Sequence, residues 1–210
     1  MLQEIENYAI KARNDTNRIT LAEDAETIKD AWQNFLTHFS RALGKLIAIS
    51  LLKKQSKSWG HRLKNESTKN DKGLVFLREA RNHVEHGLGP FAEFQERHVH
   101  VPGFGALWGN SRMENCYISN EDQNAIIEEL EVKQGKLEKF FGSSTAPIRC
   151  NPPRIVLKAI TSSEKKKVFQ VPDSIGGVSL VGRMPDDLAK LAVNMLDTWI
   201  AEYKHLVNLP

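Results

Sequence analysis

Arg81, Asn82 and His86 stand within six residues of one another in the string Leu77-Arg78-Glu79-Ala80-Arg81-Asn82-His83-Val84-Glu85-His86-Gly87. Histidine can give up and regain a proton near neutral pH, and guanidinium grips phosphate oxygens through a planar fork of donors. Cleavage of RNA by its own 2'-hydroxyl needs those two things: a base for the hydroxyl proton and a cation for the charge that builds on the scissile phosphate. In that scheme Arg81 binds the phosphate, His86 moves the proton and Asn82 positions one of them; no metal and no cofactor is required. Positions five apart on a helix differ by about 140° in azimuth, so Arg81 must wrap toward His86, whereas Asn82 and His86, four apart, share a face.

Other chemistry can be drawn from the same residues. Arg78, Glu79, Arg81 and Glu85 alternate in sign and can pair along an exposed helix face, which by itself accounts for them. His83 and His86, with His98 and His100 of a following strand, would offer four nitrogens to a metal. The string His83-Val84-Glu85-His86 is nonetheless one residue short of either zinc-protease helix pattern. No phosphate-cradling glycine loop and no nucleophile elbow is present.

Three elements must position the motif. Acids Glu23, Asp24 and Glu26 open a long helix whose apolar residues Ile28, Trp32, Phe35, Leu36, Phe39, Leu43, Leu46 and Ile47 recur at three- and four-residue spacing. A second helix is predicted from about Lys72 to His86, ended by Gly87, Gly89 and Pro90, so the motif falls at its C-terminal end. Pro185, Asp186 and Asp187 start a third, running through Leu188, Leu191, Ala192, Met195, Trp199 and Ile200. A shorter helix is expected around Ile5 to Ala12.

From Pro90 to Met184 the texture changes to Gly, Pro, aromatic and β-branched residues. Arg154 to Thr161 and Lys167 to Val171, joined by Ser162, Ser163, Glu164 and lysines, read as a β-hairpin, with Val178 to Val181 as a further strand. Asn120 to Phe141 reads as helix, with Ile126, Ile127, Leu130, Leu137 and Phe141 near helical spacing and Gly135 interrupting it. The expected fold is therefore mainly α: an antiparallel helical bundle with a small α+β insertion between the motif helix and the C-terminal helix. Its divisions are 1–90, carrying the motif; 91–183, the insertion with the hairpin; and 184–210, the last bundle helix.

Here the sequence resembles the HEPN superfamily, whose mark is an Arg, often followed by a polar residue such as Asn, and then a His after four to six intervening residues on a bundle helix. Arg81, Asn82 and His86 match it with four residues between Arg and His. The resemblance implies a metal-independent endoribonuclease of the toxin, abortive-infection or defence kind, acting on cellular RNA such as tRNA or mRNA. It also implies a homodimer whose two motifs line one cleft, and it leaves room for an antitoxin partner. A non-catalytic module that binds nucleotide, RNA or protein through the same helix is the alternative.

Composition fits this frame. The 210 residues are 40% hydrophobic and 26% charged with net charge +3, enough for one substantial core and too mildly basic to argue for nucleic acid from the total. Between Lys53 and Lys72, however, seven cations face only Glu66 and Asp71. Lys54, Lys57, Arg62 and Lys64, together with Arg78, are thus the candidate contacts for an RNA backbone. Lys165 to Lys167 could extend such a surface. Cys116 and Cys150 are too few for a disulfide scaffold. The apolar stretch Leu46 to Leu52 falls short of a spanning segment and the N-terminus lacks a signal-peptide pattern, so a cytoplasmic location without membrane contact is expected.

Overall fold

Packing of the amphipathic helices is set by where their apolar residues fall. The structure, a computed structural model, describes residues 1–86, 91–120, 123–161 and 167–207. The chain divides into two compact units. One comprises Met1–Leu21, Lys29–Glu93 and the chain from Ile155 onward; the other comprises Ala22–Ile28 and Phe94–Arg154.

The first unit holds α1 (Leu2–Leu21), most of α2 (Ala25–Leu52), α3 (Lys57–Asn65), a single π-helical turn (Glu66–Asn70), α4 (Lys72–His86) and α5 (Pro185–Leu206). Its core is apolar side chains at helical spacing: Trp32, Phe35, Leu36, Phe39 and Leu46 of α2, Leu74, Phe76, Leu77 and Ala80 of α4, and Leu188, Ala192, Leu196 and Tyr203 of α5 are all at most 2% exposed. α1 packs against α5, and Lys204 pairs with Glu6 at 2.6 Å while Arg13 pairs with Asp197. α2 is the one described helix long and apolar enough to cross a membrane by length and composition. Trp32, Phe35, Leu36, Phe39 and Leu46 of this helix are buried in the core, while Leu52 is exposed.

α4 is fixed at its start. Asp71 accepts the Leu74 N–H at 2.8 Å through one carboxylate oxygen, an N-cap bond, and the Gly176 N–H at 2.6 Å through the other. Short strands β11 (Ser174–Ile175) and β12 (Val178–Ser179), paired antiparallel, lie against this end of the helix. A Cβ at Gly73 would come within 2.6 Å of the Ile175 Cβ, so only glycine allows the approach. Before these, β9 (Ile160–Thr161) pairs antiparallel with β10 (Val168–Phe169). The polar turn expected between them, Ser162 to Lys166, lies outside the described residues, as do Gly87, Gly89 and Pro90.

The second unit is all strand apart from the start of α2, where Asp24 caps the helix through Thr27. β2 (His98–Val101) pairs with β3 (Gly105–Trp108) on one side and β7 (Arg149–Asn151) on the other. β4 (Ser111–Asn120), β5 (Gln123–Lys133) and β6 (Lys136–Ser144) form an antiparallel meander. Val99, Val101, Leu107, Ala125, Ile127, Leu130 and Val132 from both sheets close a single core. The chain leaves the helical unit within β1 (Ala92–Gln95) and returns within its partner β8 (Arg154–Leu157).

The expectation of a mainly helical bundle with a small insertion is overturned. The described chain is 51% helix and 28% strand, with twelve strands in five sheets among the described residues. Within Asn120 to Phe141, expected as helix, the described chain from Gln123 onward is the β5–β6 hairpin. Its helical look has a local cause: an extra residue in β5 between Ile127 and Glu129 shifts the register, so Ile127 and Leu130, three apart, both face inward. Gln134 and Gly135, at φ 50° and 69°, make the two-residue turn whose backbone matches strand twist. Gly135 is a hairpin turn, not a helix defect.

Two outcomes test this architecture. Gly73→Ala should destabilise the protein in urea unfolding despite the roughly 1 kcal/mol that alanine gains over glycine in a helix, because its methyl must displace β11. The second concerns pH. Asp24 is held below the ordinary carboxylate range chiefly by the Thr27 N–H, and Glu23, Glu129 and Asp173 chiefly by hydrogen bonds from Lys136, Lys139 and Lys72. A depressed folded value means stability that is full above the unfolded carboxylate pKa of about 4 and lost as pH falls through the lower folded values. The melting temperature should therefore fall below about pH 4, and added salt should weaken the three lysine-held contributions more than that of Asp24.

Candidate functional site

The motif occupies the last turns of α4, and helix phase decides which side chains it can show. Leu74, Leu77, Ala80 and His83 turn inward, and His83 is 6% exposed. Its Nε2 faces the Thr161 carbonyl of β9 at 3.2 Å, while its Nδ1 is buried with no hydrogen-bond partner among the described residues. His83 therefore ties α4 to β9. His86, three residues on, is exposed at the end of the helix, and Asn82 is half-buried one turn earlier on the same side. Of the two histidines, His86 is the one that can reach a substrate.

Arg81 is half-buried. Its guanidinium Nη2 pairs with Glu85 Oε1 one turn further along, and its Nε is buried without a partner among the described residues. Glu85 lies about 40° round the helix from Arg81, between it and His86, so the pair engages the guanidinium short of His86. Arg78 is engaged as well: Nε and Nη2 donate to Glu79 Oε1 at 3.0 and 2.7 Å, and Nη1 donates to the Thr68 carbonyl at 3.4 Å. The charge-pairing arrangement thus describes both arginines in the free chain, although Arg78 takes its neighbour Glu79 and only Arg81 uses the four-residue spacing. A helix C-terminus presents carbonyl oxygens instead of N–H groups, so any phosphate held here must be held by side chains.

The basic segment is divided by the fold. Lys54 is exposed in the turn between α2 and α3, and Lys57 and Lys64, seven residues apart on α3, share one exposed face. Arg62 leaves that face and lies 3.9 Å from Glu202 of α5, whose Oε2 also accepts the Trp59 Nε1–H at 2.8 Å. Lys64 and Arg78 line a common trough, so these two of the candidate contacts are brought together. Arg78 lies about 12 Å along the helix axis from His86.

Of the four histidines considered for a metal, His83 is bound to Thr161, and His98, in the other unit, faces the Glu96 carbonyl at 3.2 Å and Asn151 Nδ2 at 3.1 Å. Among the described residues no group of three or more metal-ligating side chains is gathered.

One chemically notable pair went unread in the sequence. Asp15 of α1, 5% exposed, meets His38 Nδ1 of α2 at 2.7 Å, with Arg18 at 3.7 Å. Such a carboxylate orients an imidazole and leaves its far nitrogen toward solvent. The available signal was an acid in the apolar phase of α1, beside Ala12 and Ile19.

Truncating each motif histidine should separate packing from chemistry. His83→Ala is expected to cost about 2 kcal/mol, from a buried side chain and a lost tie to Thr161. His86→Ala should stay within about 0.5 kcal/mol, as exposed positions do. Urea unfolding of the two variants checks this. Comparison of the chain with protein-family models, with curated proteins and with solved structures gives no match.

Proposed function

We propose that this protein is a metal-independent endoribonuclease of the HEPN type, working in the cytoplasm as a homodimer on tRNA or mRNA, in a toxin or defence role that an antitoxin protein could restrain. The observation that carries the reading is the last turn of α4: an exposed His86, with Asn82 on the same side and Arg81 beside them. His86 would take the 2'-hydroxyl proton, Arg81 would offset charge on the scissile phosphate and Asn82 would orient one of them. Lys54, Lys57, Arg62, Lys64 and Arg78 would contact the RNA backbone.

The Arg81–Glu85 pair sets a condition. Arg81 must exchange Glu85 for the phosphate, a competition that a dianionic transition state wins more readily than a monoanionic ground state, which is the direction catalysis requires. The same pair favours a second reading, a non-catalytic module that binds RNA or a protein partner through this helix with Arg81 locked.

Purified protein incubated with total RNA and tRNA in excess chelator decides between them. Cleavage should persist in chelator and leave 2',3'-cyclic phosphate ends. Arg81→Ala and His86→Ala should each slow it by about 10²-fold or more while RNA affinity largely survives in His86→Ala. Intact RNA at every protein concentration removes the enzyme reading in favour of the binding module.

A further inference from the structure

Gly44 sits midway along α2, where glycine is the least favourable residue after proline. Elsewhere in the helical unit such glycines are explained by packing: a Cβ would come within 2.6 Å of Ser50 Oγ at Gly60 and of Ile175 Cβ at Gly73. At Gly44 a Cβ would meet nothing within 4 Å. No contact inside the described chain accounts for this residue.

The open space belongs to a trough of about 370 Å³ in the helical unit. Its floor is the Ser40, Gly44 and Ala48 side of α2, and Leu43, Ile47, Leu51 and Leu74 make its walls. From Ser40 to Leu51 it runs along ~16 Å of helix. Three of the polar side chains along it are occupied. Ser67 Oγ and Thr68 Oγ1 donate to the Lys64 carbonyl at 3.1 and 2.7 Å, and Arg78 is held by Glu79 and the Thr68 carbonyl. Lys64 and Ser40 are the exceptions, since the Lys64 ammonium makes no ion pair and the Ser40 hydroxyl no hydrogen bond among the described residues.

An apolar trough with one uncompensated ammonium selects its ligand by chemistry. A nucleobase would bury several polar edges with one free hydroxyl, that of Ser40, to meet them, at a cost in affinity. An alkyl chain gains from every methylene removed from water, and a single anionic head group matches Lys64. We propose that this trough binds a medium-chain carboxylate, an amphipathic monoanion whose chain lies over Gly44 and whose head meets Lys64. The assignment rests on the trough itself and not on the ribonuclease reading.

Isothermal titration of the full chain with dodecanoate below its micelle concentration tests it. Saturable one-to-one binding is expected, about tenfold weaker for decanoate, which lacks two methylenes. Gly44→Leu places a side chain in the trough, where its Cβ meets nothing within 4 Å, and should abolish binding with the melting temperature unchanged or raised. Ala48→Leu gives the same readout should the first variant lose its helical circular dichroism. Lys64→Gln should weaken dodecanoate about tenfold and leave dodecanol unaffected. Absence of saturable binding, or binding unchanged in both filled variants, overturns the proposal. So does an equal affinity of wild type and Lys64→Gln for dodecanoate. A wild-type dimer that Gly44→Leu dissociates also overturns it, assigning the trough to a second copy of the chain.

Discussion

Two backbone N–H groups more than a hundred residues apart in sequence, those of Leu74 and Gly176, converge on the carboxylate of Asp71. One bond starts α4 and the other pins the turn after β11 to that start. Gly73 lets the two elements close to a distance no other residue would permit. A helix end left without such partners has orphaned donors, each costly once shielded from water. The direction of α4, and so everything the motif can face, follows from this one carboxylate.

At the other end of the helix, phase does the sorting. A step of 100° per residue turns His83 inward onto Thr161 and leaves His86 in solvent. It also separates Arg81 from His86 by more than a third of a turn, and Glu85 takes the guanidinium in between. A motif written linearly as Arg-Asn-x-x-x-His is thus three different environments: an ion pair, a half-buried amide and a free imidazole. Arg81 is engaged by Glu85 while His86 stands exposed, so the two side chains are differently committed although they are five residues apart.

The helical elements were readable because their signal is long and redundant. α2 repeats its apolar spacing over seven turns, and α5 announces itself with Pro185, Asp186 and Asp187, whose carboxylates complement the helix dipole. The β5–β6 hairpin was unreadable for the opposite reason. A bulge displaced one residue and turned an alternation of two into a spacing of three, and Gly135, which a helix barely tolerates, is what a tight turn under the Arg97 carbonyl requires. Period-based inference fails wherever one inserted residue resets the phase, because the pattern does not record which strand stands opposite.

The sequence by itself determined which residues can do chemistry and that Arg81, Asn82 and His86 would lie at the end of a helix, since capping, periodicity and the following glycines are local matters. It also determined that a basic segment precedes that helix. Only the tertiary structure decided which histidine is buried and that Lys64 shares a trough with Arg78 while Arg62 turns to Glu202. It alone brought Asp15 onto His38 and made the β5–β6 hairpin out of a stretch that reads as helix. These depend on which elements pack face to face, and burial is a property of the pair of faces, not of either string of residues alone.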